Sequence, residues 1–299
     1  MELREKISAT IPPPLQSLCS DSHLEPLAGT AKNAHTYILV EKPGSWSKDI
    51  LDGNTFNAAD TEVLTQLPQV LLIRRPGRAG HQVNSDGGFR IYIVYVAAGI
   101  VEMAQINQIS DLLDFDFSGP GHNGGRTTVV AEPVVLVCAH AKRDRCCAIK
   151  GRPIARHLYE RFPQGHIWEC SHTGGHRFAP SLILFPWGYF YGRFDEEDAL
   201  RIYMEAQAGR LYLQGNRGRG LWDKRGQVAE LAVRNHLAAQ GESLPIGATG
   251  VVDTMVTLAD GRVFDSELIA RTVDNAHISC TKPPKSVDIW VATEVRQRL

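Results

Sequence analysis

The chain has 299 residues and a mass of 33.0 kDa, a length that suggests two domains. Apolar residues make up 43% and charged residues 22%, which excludes a disordered or collagen-like chain. A net charge of −1 gives no bulk attraction to nucleic acid. Six cysteines are too few for a small secreted disulfide scaffold, and four of them fall between positions 138 and 170.

Residues 1–36 read as a leader that becomes ordered late. The stretch Met1 to Ser20 mixes charges with Pro12-Pro13-Pro14 and lacks the apolar core of a secretory signal. The longest uncharged apolar run, Ile91 to Val101, has 11 residues, against about 20 for a membrane helix. A cytoplasmic protein with reduced thiols and no membrane partner is expected. There, clustered cysteines point to metal or redox chemistry.

Tyr37 to Glu41 predicts a strand, residues 46–66 a partly helical stretch, and Val70 to Ile73 a second strand. Phe89 to Val96 and Gly99 to Ile106 predict two more strands, and Ile109 to Phe115 a short helix. Residues 118–128 hold the clearest linker. Val134 to Val137 then restarts the order with a strand ending on Cys138. Ile149 to Phe162 follows as a helix with Ile154, Leu158 and Phe162 spaced by four. His166 to Glu169, Leu182 to Phe185 and Tyr189 to Phe194 are strands. Asp195 to Asp198 open another helix, where acids suit the dipole. From Tyr37 to Val134 and from Gln69 to His166 the step is the same 97 residues, which suggests a structural duplication. Beyond 205 come a basic glycine loop at 215–220, a helix from Gln227 to Gln240 and alternating strands. Those strands are Val251 to Leu258, Arg262 to Ile269 after the Asp260-Gly261 turn, and Val287 to Val295. They form a small β-rich tail.

Two elements can carry chemistry. Cys138, His140, Cys146 and Cys147 lie between a strand end and a helix, and Cys170, His172 and His176 follow a second strand. Parallel strands place their carboxyl ends on one side of a sheet, so the two loops can meet. Gly174-Gly175 favours a tight loop for both flanking histidines. Two thiolates and two imidazoles suit tetrahedral zinc, or a [2Fe–2S] cluster with cysteine on one iron and histidine on the other. Spacing leaves Cys146 against Cys147 open, and also a set drawing on His140 and Cys170. Cys19 and Cys280 read as non-ligand thiols, and Trp168 and Trp187 as core.

Three further features bear on function. Over residues 142–161 seven basic residues face two acidic ones, either a docking face for an acidic redox partner or a solvated helix surface. The Arg217–Arg219 loop is a weak phosphate signal, and no Gly-x-Gly-x-x-Gly dinucleotide loop occurs. At the 97-residue offset, Glu41 and Arg75 stand where Cys138 and His172 do, so the first half carries no equivalent metal site.

The motifs around Cys138, Arg143-Asp144 and Cys147, with His172-Thr-Gly-Gly-His176-Arg-Phe-Ala-Pro and Tyr191-Gly-Arg193, resemble the sucrase/ferredoxin-like family. The similarity starts near Pro26 and Leu39-Val-Glu-Lys-Pro-Gly and includes Arg217-Gly-Arg219. It implies an α/β protein with a thioredoxin-like ferredoxin domain at 129–220. A degenerate thioredoxin-like half with its leader would fill 1–120, and a helix and β-rich extension 221–299. It implies a [2Fe–2S] cluster with Cys138 and Cys147 on one iron and His172 and His176 on the other. The expected function is a proton-coupled one-electron carrier or the electron-transfer component of an oxidoreductase, with a redox protein partner. The alternatives are a structural zinc module at the same residues and a thiol-disulfide oxidoreductase using Cys146-Cys147. No glycosidase carboxylate pair is present, so no sucrase activity is expected.

Overall fold

The computed structural model describes residues 18–82 and 88–298. The first 17 residues of the expected leader lie outside them.

The first half runs β1 (Thr36–Glu41), α1 (Ala58–Thr65), β2 (Gln69–Arg74), β3 (Phe89–Tyr95), β4 (Ile100–Ile106) and β5 (Thr128–Val129). The second runs β6 (Val134–Cys138), α2 (Arg145–Arg161), β7 (His166–Cys170), β8 (Ser181–Phe185), β9 (Tyr189–Gly192), α3 (Glu196–Gln207) and β10 (Asn216–Arg219). The tail has α4 (Lys224–Ala239), β11 (Thr249–Val252), β12 (Met255–Leu258), β13 (Val263–Ala276) and β14 (Lys285–Gln297).

Ten strands form one mixed sheet, ordered β10-β9-β8-β6-β7-β2-β1-β3-β4-β5. Its centre is β-branched and aliphatic and buried on both faces, as the uniform burial of Val134 to Cys138 shows. Within each half the first two strands pair in parallel and the next two antiparallel. Tyr37 faces Gln69 in one half and Val134 faces His166 in the other, the same register at the same offset. The halves meet where β2 and β7 run antiparallel, joined by Ile73 with Cys170 and Arg74 with Glu169. Both registered pairs lie near the carboxyl ends of their strands. The buried Arg74–Glu169 ion pair, at 2.7 Å, closes this seam. The carboxyl end of β7 therefore sits against the first half, with that of β6 next to it.

Several expectations are corrected. Helix α2 begins at Arg145, four residues before the apolar periodicity does, because the Asp144 side chain accepts from the Cys146 N–H as its cap. Cys146 and Cys147 thus lie in the first turn of a helix. Residues 215–220 are no open glycine loop: β10 pairs with β9 and all four of its residues are buried. Val251 to Leu258 is two strands, turned at Asp253, whose φ is 55°. The expected linker is tied down: the Gly121 N–H donates to Glu102 at 2.6 Å and Asn123 bonds the Asp116 backbone.

Residues 18–36 are also held in place. Arg177 grips the buried Glu25 carboxylate through two bonds, at 2.7 and 2.9 Å. Gln227 on α4 exchanges two hydrogen bonds with the Ala31 backbone. In the tail, β11 to β14 form an antiparallel sheet against α4. The long β13–β14 hairpin returns to the second half, where its connecting loop reaches the first turn of α2.

Candidate metal centre

Cys138 ends β6 and pairs in register with Cys170, the end of β7. The two strands alternate faces, and α2 covers β6 from one side. Gly151 lets the helix come close: a Cβ there would collide with the Cys138 carbonyl oxygen. This close approach brings Cys147, one helical turn earlier, to Cys138.

The donor atoms of Cys138, Cys147 and His172 all lie within 4.8 Å of one another. Cys138 Sγ is 4.0 Å from His172 Nδ1. His176 stands outside this triplet but against it, with its Nδ1 3.4 Å from His172 Nε2. Both thiols are fully buried, and both imidazoles are half-buried at the open side. Cys170 is packed into the apolar core behind the triplet. His140 turns to the first half, its Nε2 2.7 Å from the Ser47 carbonyl and its ring edge-on to Trp46. The neighbours Cys146 and Cys147 part company: Cys146 Sγ lies 3.4 Å from Cys19 Sγ and 3.1 Å from Cys280 Sγ. As the side chains diverge, the vicinal pair is not placed as a dithiol couple.

Electrostatics within the triplet favour a ligand state. The Cys147 S–H and the His172 ring hold the Cys138 thiol well below its ordinary range. The same contact and burial push Cys147 up. Burial lowers His176, which keeps its ring neutral and able to ligate. His176 Nε2 is buried 3.4 Å from Asp144 Oδ2, at a geometry short of a hydrogen bond.

The histidine loop is braced from beneath by a residue that sequence reading placed in a phosphate loop. Arg217 is fully buried and donates to Thr30 Oγ1 at 3.0 Å, Ser181 Oγ at 3.1 Å and the Gly174 carbonyl at 3.3 Å. Its guanidinium lies over Phe178 and is pushed down to about 9 by burial. Gly175 has φ 78°, and a Cβ on it would strike that guanidinium. The other arginine, Arg219, donates to the Trp187 carbonyl at 3.0 Å. Asp144, which the sequence offers only as part of the family motif, caps α2 and faces His176 at once. The signal for it was an acidic residue directly before a helix, hidden by a helix start placed too late.

The open side is basic. A cleft of about 800 Å³ has Lys48, Arg143, Arg177 and Lys282 on its walls beside His176. A second, of about 540 Å³, runs past His172 and shares Lys48 and Arg143. In the first half Glu41 and Arg75 gather no metal-binding group among the described residues. Arg75 lies over Trp168 at 4.0 Å instead. No helix is long and apolar enough to cross a membrane among the described residues.

No solved structure matches the chain. A stretch of 82 residues is 29% identical to altered inheritance of mitochondria protein 32 of Meyerozyma guilliermondii. The match covers 24% of this chain and 29% of that protein, so the chain spans less than a third of this relative's length. The sucrase/ferredoxin-like family matches residues 27–218, which span the ten-stranded sheet up to β10 and every residue of the Cys138 site. The chain therefore belongs to the sucrase/ferredoxin-like family.

Proposed function

We propose that the chain is a one-electron carrier whose [2Fe–2S] cluster is held by Cys138 and Cys147 on one side and His172 and His176 on the other. The observation that carries this reading is the gathering of two buried thiols and two half-buried imidazoles at the ends of β6 and β7, in a ferredoxin-like family. The donor set fits such a cluster by type. Once bound, it would take up and release one electron.

The chain's residues set the terms of that exchange. Neutral imidazoles in place of two thiolates remove negative charge, which eases reduction. The outer ring nitrogens can hold or release a proton, and Asp144 stands beside His176 to stabilise one. Burial of both thiols keeps water off the sulfur side. Lys48, Arg143 and Lys282 line the histidine side, where an acidic redox partner would dock as donor or acceptor.

The strand order supports a thioredoxin-like reading of 129–220, with 1–120 as a degenerate counterpart serving as scaffold and 221–299 as an extension. We place the chain in a reducing cytoplasm, where its thiols would stay available as ligands.

One observation favours a second reading. The 4.0 Å from Cys138 Sγ to His172 Nδ1 suits a single tetrahedral ion such as zinc, which would make the site structural. Purified full-length protein separates the two. Visible absorption with equimolar iron and acid-labile sulfide supports the cluster; a colourless protein with zinc at Cys138 overturns it. Cys147→Ser should lose the iron while Cys146→Ser keeps it. The reverse result would move the ligand to Cys146.

A further inference from the structure

A separate group of thiols gathers around Asp144, whose Oδ2 also faces His176. Cys19 opens a 3-10 turn, Cys19–Asp21, in the N-terminal segment. Cys146 lies in the first turn of α2, and Cys280 in the loop between β13 and β14. In sequence Cys146 is 127 residues from Cys19 and 134 from Cys280. In space its sulfur is 3.4 Å from the first and 3.1 Å from the second. The Cys19 N–H donates to Cys280 Sγ at 3.3 Å. With an oxygen of Asp144, all four donor atoms lie within 4.8 Å of one another.

Ordinary packing does not account for this group. Among the described residues, the apolar cluster holding Cys19 and Cys146 has one other buried member, Ala179, with Leu18 and Cys280 partly buried beside it, so the thiols complete little core. A disulfide does not account for it either. It would join two sulfurs at about 2.05 Å and leave the third behind. Tetrahedral zinc with Zn–S bonds of about 2.3 Å spaces its sulfurs about 3.8 Å apart. The observed separations are nearer to that than to a covalent bond.

We propose that Cys19, Cys146, Cys280 and Asp144 form a second metal centre that binds one zinc ion in a structural role. Three thiolates select a soft ion, and one carboxylate completes a closed tetrahedron. The two oxygens of Asp144 point different ways, and Oδ2, which also faces His176 at 3.4 Å and accepts from Ser279 Oγ at 3.3 Å, is the one turned to the Cys280 loop. Its Oδ1 caps α2 through the Cys146 N–H at 3.0 Å, and its Oδ2 faces the Cys280 backbone N–H at 3.2 Å. Cys146 sits at the positive end of a 17-residue helix, which favours a thiolate there. One turn on, Lys150 ties the Cys19–Asp21 turn to α2 through the Ser20 carbonyl and Asp21. On binding, the three S–H protons leave to solvent as three S–Zn bonds form. The ion would staple the N-terminal segment and the tail hairpin to α2, whose next residue is Cys147. This centre does not depend on which metal the Cys138 site takes.

The test is metal analysis of the purified full-length protein, with zinc and iron read on the same sample. About one zinc per chain is expected beyond whatever Cys138 and Cys147 hold. Cys280→Ser should lose that zinc and keep the iron and the visible spectrum. Cys280→His, which offers another zinc ligand, should retain it. Cobalt(II) loaded in place of zinc should give a thiolate charge-transfer band in the native chain and not in Cys280→Ser. If Cys280→Ser does not fold, alkylation of the native chain decides: Cys19, Cys146 and Cys280 should be protected until a chelator is added. Equal labelling with and without chelator overturns the proposal. So does a chain lighter by the two hydrogens of a disulfide among these cysteines, or a zinc content that Cys280→Ser leaves unchanged. A native chain without iron, whose zinc Cys280→Ser removes, would count against the cluster at Cys138 and not against this centre.

Discussion

The backbone carbonyl of Cys138 rests against Gly151, where any side chain would collide with it. A glycine inside a helix costs about 1 kcal/mol relative to alanine. Here it lets α2 lie close enough to β6 for Cys147 to meet Cys138. Gly151→Ala should therefore reverse the usual helix gain. We expect a loss of about 1–3 kcal/mol from overpacking and a chain that retains less metal at Cys138. Urea unfolding with metal content per chain checks both. Native stability and metal content would show that the contact does not position the helix.

Arg217 is the brace of the histidine loop, and its bonds fan out to Thr30, Ser181 and Gly174. A lysine keeps the charge but cannot span three acceptors with a planar fork. Arg217→Lys should cost about 1–3 kcal/mol, the penalty for a buried polar group left unpaired. It should also loosen Gly174-Gly175 and so His172 and His176. Faster hydrogen exchange at 172–176 than in the parent protein is the signature. Unchanged exchange there would assign Arg217 to the fold alone.

Much of the site could be read from the chain because its loops follow buried apolar strands, whose ends are sharply marked. Cys138 and His172 come from such ends. What stayed hidden was set by tertiary contact. Nothing local in Arg217-Gly-Arg219 separates a phosphate loop from a buried strand; burial against Phe178 and Phe190 decides it. The meeting of Cys19 with Cys280 spans almost the whole chain, and no local pattern encodes it. The start of α2 was misplaced because Arg145 to Ala148 lacks the apolar period that marks the rest. A cap, not periodicity, begins that helix.

His166 offers a pH test away from the Cys138 and Cys146 clusters. Its ring bonds Tyr92 at 3.0 Å, and burial lowers it below the ordinary 6.5, with Glu132 opposing weakly. The unfolded chain then binds the extra proton more readily than the folded one. Stability from this group is present above about pH 6.5 and is lost as pH falls through the lowered value. The melting temperature of the native chain should drop more steeply below pH 6.5 than that of His166→Gln. Parallel curves would mean that the imidazole titrates freely when folded.

The redox reading makes its sharpest claim in the pH dependence of the potential. A histidine bound through one nitrogen carries its proton on the other, and that proton is held more weakly when the metal is oxidised. Reduction then draws a proton with the electron once pH exceeds the value of the oxidised form. The potential should fall as pH rises, approaching about 59 mV per unit where one proton follows one electron. His176→Cys, which puts a thiolate in place of a ring, should lower the potential throughout and leave one ring to titrate, narrowing the sloping region. Film or titration voltammetry of the native chain and this variant, from about pH 6 to 10, reads both effects. A potential flat across that range in the native chain would remove His172 and His176 from the ligand set, even if iron and sulfide are present.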